Sequence, residues 1–151
     1  MNNVVIADTS CLIALSNAEL LEVLKHLYQE ITITKEVQAE FGEPLPEWIS
    51  VKEVNNKKLQ AKVERHLDSG EASSIALATE TKHSILIIDE TKGRKIANSY
   101  DLNIIGTLGI LLLADKKGII DDFISTILKI VNQGFRLSDT LIDKLIEEYR
   151  K

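Results

Sequence analysis

The chain has a single cysteine, two prolines, no apolar run near the length of a membrane helix and no surplus of positive charge. Each shortage excludes something. Cys11 alone forms neither an internal disulfide nor a Cys-rich zinc site, and a lone thiol suits a reducing compartment. A spanning helix needs roughly 18–20 consecutive apolar residues, and no stretch approaches that. Met1-Asn2-Asn3 lacks the basic start of a secretory signal, so the expected location is the cytoplasm, with no membrane partner. With 18 Lys and Arg against 23 Asp and Glu, a net charge of −5, the chain is no broad duplex-DNA coat and no polybasic membrane binder. A nucleic acid gripped locally remains compatible with that balance. His26, His66 and His83 are scattered without metal-ligand spacing, and no G-x-x-x-x-G-K-[ST] loop is present, which removes the P-loop nucleotide hydrolases.

What remains is the composition of an ordinary folded chain. Its 151 residues, 44% hydrophobic and 27% charged, predict one domain spanning 1–151, far from the composition of disorder. Neither a repeat nor a low-complexity tract interrupts it. The two prolines stand together in Gly42-Glu43-Pro44-Leu45-Pro46, a loop too short to link domains.

Strand and helix patterns alternate. Val4-Val5-Ile6-Ala7 is a short apolar strand; the polar turn Asp8-Thr9-Ser10 follows, then a helix carrying Leu12 to Leu27 at helical intervals. Ile31-Thr32-Ile33-Thr34 predicts a second strand, Lys35 to Phe41 a short helix, and the alternating Ile49 to Val54 an edge strand. A helix from about Asn56 to Leu67 leads to Asp68-Ser69-Gly70-Glu71, spaced as a capping box, and another helix follows. Ile85-Leu86-Ile87-Ile88 is apolar on both faces and predicts the middle of the sheet. Beyond it come a helix near Gly93 to Tyr100, a strand at Asn103-Ile104-Ile105, an apolar helix opened by Gly106-Thr107, an amphipathic helix from Asp121 to Gln133, and a last helix capped by Ser138 and extending to Arg150. Repeated strand-then-helix units predict an α/β fold: a three-layer α/β/α sandwich around a mostly parallel sheet of about five strands.

In such sheets ligands bind beyond the carboxyl ends of the strands. Asp8 follows the first strand, Asp89 and Glu90 follow the apolar strand, and Glu71 and Glu40 lie on helices that can reach the same crevice. Clustered carboxylates repel, and a divalent cation resolves the repulsion. Hard oxygen ligands suit Mg²⁺ or Mn²⁺, which bridge carboxylates to phosphates and support attack of water on a phosphodiester. Simpler roles stand beside this one. Asp8, Thr9 or Ser10 would cap the first helix, Glu71 would complete the capping box with Asp68, and Glu40, four residues after Glu36, would sit on a solvated helix face. Thr9, Ser10 and Thr107 offer hydroxyls and helix-start N–H groups to a metal-held water or a phosphate, or merely cap. Lys92, Gly93, Arg94 and Lys95 form a tight basic run that would hold flanking phosphates or simply make a solvated helix turn. Cys11, among Leu12 and Ile13, reads as a buried thiol.

The order Asp8, Glu40, Glu71, Asp89 resembles the PIN-domain family. The likeness rests on Val5-Ile6-Ala7-Asp8-Thr9-Ser10-Cys11-Leu12-Ile13, on Gly70-Glu71-Ala72-Ser73-Ser74-Ile75-Ala76-Leu77-Ala78, on Leu86-Ile87-Ile88-Asp89-Glu90-Thr91-Lys92-Gly93-Arg94 and on Gly106-Thr107-Leu108-Gly109-Ile110-Leu111-Leu112. The last three stretches are similar to those of a subgroup of small prokaryotic members. The resemblance spans about Val4 to Tyr149 and implies a sheet of about five parallel strands, an Mg²⁺- or Mn²⁺-dependent endoribonuclease, and in many members the toxin of a toxin–antitoxin pair. It implies the site acids Asp8, Glu40 (in Val37-Gln38-Ala39-Glu40-Phe41), Glu71 and Asp89, with Glu90 where the subgroup often has a second Asp. On this reading Asp8, Glu71, Asp89 and Glu90 hold the ion, Glu40 orients or deprotonates water, and Ser10, Thr9, Lys92, Arg94 and Thr107 meet substrate. The implied partners are single-stranded or structured RNA, an antitoxin protein and a second copy in a homodimer. The alternative is a weakly active or non-catalytic fold of the same family that binds nucleic acid or regulates a partner through its last helix. Two other α/β classes fit less well: a haloacid-dehalogenase phosphatase needs an Asp where Ser10 stands, and a receiver domain needs an acid pair where only Asp8 is present.

Overall fold

In the computed structural model, which describes residues 3–149, the apolar run at the start forms β1 (Val4–Ala7) and stops at Asp8, where α1 (Thr9–Asn17) begins. The predicted single helix across Leu12 to Leu27 is two. Glu19 takes a positive φ of 58°, an arrangement that ends a helix, and α2 (Glu22–Tyr28) starts afresh. Next come β2 (Ile31–Thr34), α3 (Lys35–Phe41), β3 (Ile49–Lys52), α4 (Lys57–Val63) and α5 (Ser69–Glu80), then β4 (Ser84–Ile87), α6 (Thr91–Ser99), β5 (Ile104–Ile105) and α7 (Thr107–Lys116). Two further helices, α8 (Phe123–Asn132) and α9 (Asp139–Tyr149), close the described chain. Ser138 Oγ accepts the Leu141 N–H at 3.1 Å, the cap its position predicts; the predicted extension of that last helix to Arg150 lies outside the described residues.

All four strand pairings are parallel, and the order is β3-β2-β1-β4-β5. The five-stranded parallel sheet of the sequence reading is therefore present, with β3 at an edge as predicted. Its middle is β1, however, and not the apolar Ile85–Ile88 segment. β4 lies one place out, paired Val4↔Ser84 through Ala7↔Ile87 on one side and to the two-residue β5 on the other. Position in a sheet is decided by which strands pair, and both β1 and β4 are covered on both faces, so local apolarity does not distinguish them.

Alternate residues feed two cores. Val5, Ala7, Ile31, Ile33 and Ile87 pack with α1, α2, α7, α8 and α9, whereas Ile6, Leu86 and Ile88 pack with α4, α5 and α6. That period of two makes the three layers. Among the helices α5 is the most enclosed: every residue from Gly70 to Ala78 is buried. Its small polar residues are satisfied internally, with Ser74 Oγ donating to Gly70 O at 2.7 Å and Ser73 Oγ sharing a hydrogen bond with Thr34 Oγ1 at 2.7 Å. A helix so held presents its first turn at a fixed place. From β1 the chain builds outward through β2 to β3, then returns to β4 on the other side. The reversal falls between β1 and β4, so the crevice beyond their carboxyl ends, flanked by Asp8 and Asp89, is the switch point of this sheet.

Candidate active site

Asp8 is both cap and crevice residue. Its Oδ1 accepts the Thr9 N–H at 2.7 Å, while the side chain is 2% exposed at the end of the middle strand. Burial raises its pKa from 3.8 to about 7; the Thr9 N–H opposes the rise, and the charges of Asp68, Glu40 and Asp89 add to it. Glu40, in the last turn of α3, is exposed yet anchored. Its Oε1 accepts from Thr9 Oγ1 at 2.6 Å and its Oε2 from the Gly70 N–H at 3.3 Å and Ser69 Oγ at 3.4 Å.

Glu71 lies in the first turn of α5, 8% exposed, and its Oε2 has no hydrogen-bond partner among the described residues. Burial first, then the charges of Asp68 and Asp8, lift its pKa from 4.5 to about 8. Asp89, just past β4, is fixed by α7, whose Thr107 donates from N at 2.7 Å and from Oγ1 at 2.6 Å. Glu90 is exposed and caps α6, accepting the Lys92 N–H at 3.3 Å. No ion pair among the described residues neutralises any of these acids; the two present join Glu53 to Lys35 and Lys57, elsewhere on the surface.

Three glycines make room for three of the carboxylates. A Cβ on Gly70 would overlap the Glu40 carboxylate, one on Gly93 would stand 2.9 Å from Glu71 Oε2, and one on Gly106 would stand 2.9 Å from Asp89 Oδ1. The glycines of the GEA, KGR and GTLG stretches thus each adjoin a different acid. The sequence shows the glycines but not this pairing, which depends on tertiary approach.

The other predicted residues divide. The hydroxyls of Thr9 and Thr107 are engaged by Glu40 and Asp89, so they orient the acids. Arg94 Nη1 donates to Ile88 O at 3.1 Å, close to Asp89, and Lys92 is exposed. Ser10 is exposed on α1, where with Asp89 and Glu90 it lines a groove of about 590 Å³ that extends past Ile13 to Phe135 and Arg136 in the α8–α9 connection. Cys11 is fully buried with its pKa pushed up to about 12 by that burial, and the three histidines are exposed. Sequence reasoning missed two contributors. Asp68 was legible only as a cap, although its charge bears on both Asp8 and Glu71. Arg136 had no local signal at all.

Do these residues fit a divalent ion? The donor set is all hard oxygen, it forms no ion pair among the described residues, and one of its buried oxygens has no hydrogen-bond partner there, which costs roughly 1–3 kcal/mol unless something satisfies it. No three His, Cys, Asp or Glu side chains among the described residues are gathered closely enough to hold an ion as they stand. Mg²⁺ does not require such a cage, since it keeps several waters and is commonly bound through one or two carboxylates plus substrate phosphate. The set therefore fits an ion of this type.

An all-parallel α/β/α sandwich with an acidic crevice at its switch point defines the class of this protein. Over residues 4–151 it matches the family model described as PIN domain, and the chain belongs to that family, whose members are generally nucleases and usually use divalent metal ions. No match was found among curated proteins or among solved structures. Among the described residues no helix is long and apolar enough to cross a membrane.

The raised pKa values set an expected pH dependence. A carboxyl whose pKa is higher folded than unfolded contributes stability that is whole below the unfolded value and is lost as pH rises through the folded one. Metal-free protein should accordingly lose stability from about pH 4 to pH 8, as Asp8 and Glu71 ionise. Urea midpoints at pH 5.5 and 8.5 in EDTA check this; a higher midpoint at pH 8.5 contradicts it.

Proposed function

We propose that the protein is an Mg²⁺- or Mn²⁺-dependent endoribonuclease that hydrolyses RNA phosphodiester bonds. Its proposed setting is that of the toxin in a toxin–antitoxin pair, cytoplasmic and homodimeric, with single-stranded or structured RNA as substrate and an antitoxin protein as partner. One observation carries the reading: a buried Glu71 oxygen with no hydrogen-bond partner among the described residues, among acids that form no ion pair there, at the switch point of a parallel sheet.

Asp8, Glu71 and Asp89 would hold the ion, with Glu90 adjoining. When bound, such an ion stabilises the leaving oxygen and lowers the pKa of an attacking water. The protein's own part is orientation. Thr9 Oγ1 and the Gly70 N–H hold the Glu40 carboxylate, which aligns the attacking water or takes its proton. Thr107 holds Asp89 through two short bonds. Lys92 and Arg94 meet flanking phosphates, where charge-assisted bonds are strong, and the groove beyond Ser10 gives the strand an exit.

The test is a structured RNA panel incubated with Mg²⁺, Mn²⁺ or EDTA, beside Asp8→Asn. Expected is cleavage that needs the ion and the carboxylate. Cleavage in EDTA, or an Asn variant as active as the wild type, overturns the reading. The absence of three gathered ligands among the described residues favours a second reading, a member of the fold that binds RNA or a partner without cutting. Tight RNA binding with no cleavage under either ion would select it.

A further inference from the structure

The first turn of α5 does more than begin a helix. Asp68 occupies its N-cap, and Oδ1 accepts the Glu71 N–H at 2.9 Å. Ser69 and Gly70 donate to Glu40 Oε2. A full capping box would return the Glu71 carboxylate to the Asp68 N–H, but Glu71 is 8% exposed and its buried Oε2 has no hydrogen-bond partner among the described residues. Only half the box is formed, and the second carboxylate is left to the crevice.

Asp68 brings its own charge to that same place. Among the charges around Asp8 and around Glu71, that of Asp68 has the largest effect on each. Asp68 is exposed, and no Lys, Arg or His within ion-pair distance neutralises it among the described residues. A cap needs only an oxygen, and Asn or Ser serves as well as Asp. The negative charge is thus surplus to the helix and adverse to its carboxylate neighbours unless a cation offsets it.

We propose that Asp68 is a further carboxylate of the crevice, a positioning residue that strengthens divalent-cation binding by its charge while capping α5 with its oxygen. This rests on the metal-dependent reading of the site. The two roles separate by substitution. Asp68→Asn keeps the cap and removes the charge; Asp68→Ala removes both.

The experiment is a Mn²⁺ titration of the full chain followed by thermal melting, with wild type and both variants compared in EDTA and in Mn²⁺. Asp68→Asn should melt higher than wild type in EDTA, because one repulsive charge is gone, and should bind Mn²⁺ about tenfold more weakly, as expected for one charge lost at a few Å through a partly solvated medium. Asp68→Ala should bind Mn²⁺ as weakly as Asp68→Asn but melt lower in EDTA. Equal Mn²⁺ affinity for wild type and Asp68→Asn overturns the proposal and leaves Asp68 a cap only, with the metal reading intact. A wild type that binds no Mn²⁺ overturns both.

Discussion

Asp8→Asn should abolish RNA cleavage and, in metal-free buffer at pH 8, make the protein more stable. The activity loss is expected to reach about a thousandfold, since losing an ion-holding carboxylate removes several kcal/mol of charge stabilisation from the transition state. The gain in stability follows from burial. Asp8 is 2% exposed with a pKa of about 7 against 3.8 unfolded. At pH 8 it is ionised in both states, and each unit of that difference costs the folded state about 1.4 kcal/mol. Asn keeps an oxygen for the Thr9 N–H and places donors among the acids, so most of the cost is relieved. Allowing for the amide's own burial, the expected gain is about 2–4 kcal/mol, or roughly 5–15 °C in a chain of this size. The advantage should shrink toward pH 4, where wild-type Asp8 is protonated when folded and the penalty has gone. Melting curves at pH 8 and pH 4.5 in EDTA decide the matter; an Asn variant no more stable than wild type at pH 8 refutes the account.

That trade-off explains which parts of the molecule were legible in the sequence. Strands and most helices follow from short-range patterns: β1 and β2 are unbroken apolar or β-branched runs, β4 is apolar after Ser84, and Asp8, Thr34, Asn56, Asp68 and Asp122 cap the helices they precede. The break between α1 and α2 was not legible, because Glu19 adopts its positive φ without a glycine or proline to announce it. Nor was the order of strands. β1 and the Ile85–Ile88 run are alike in apolarity, and β1 holds the middle through its partners β2 and β4.

Asp8, Glu71, Asp89 and Glu90 were legible because they stand at strand ends and helix starts, where the sheet's geometry gathers loops, whereas Glu40, in the last turn of α3, is brought to them by tertiary packing. Capping and a place at the crevice are compatible. Asp8 caps α1 and faces the crevice, and Asp68 does the same for α5, since a helix N-terminus at the sheet's carboxyl edge points into the site. The hydroxyls of Thr9 and Thr107 were offered to water or phosphate, yet they hold Glu40 and Asp89. A chain pattern gives a side chain's neighbourhood but not its partner. The charge balance sharpens as well. Asp8, Glu40, Asp68, Glu71, Asp89 and Glu90 outnumber the net charge of −5 by one, so the remainder of the chain is slightly positive, which favours a polyanion approaching a crevice neutralised by an ion.

Gly93→Ala should separate stability from activity, and the direction is opposite to the usual effect of such a change. Gly93 is the third residue of α6, and replacing glycine by alanine inside a helix ordinarily stabilises by about 0.5–1 kcal/mol. Here the added methyl would lie 2.7 Å from Ile88 Cδ1 and 2.9 Å from Glu71 Oε2. Both side chains can yield only slightly, because Ile88 is fully buried and Glu71 nearly so. Overpacking of this kind costs roughly 1–3 kcal/mol, so the helix gain offsets much of it and the melting point should move by only a few degrees. The Glu71 carboxylate, by contrast, must shift by some tenths of an ångström to about one ångström, and displacement on that scale costs on the order of a hundredfold in rate. Gly109→Ala supplies the comparison: it too is the third residue of its helix, and its methyl would meet Ile105 Cγ1 at 2.8 Å and no carboxylate, so its melting point should also move by only a few degrees while cleavage persists. If the methyl acts through Glu71, Gly93→Ala should add little further loss of rate to Glu71→Gln, whereas independent effects would multiply. Cleavage rates of the two single variants and the double variant, with melting points beside them, measure that coupling; multiplying losses would show that Gly93 matters for another reason.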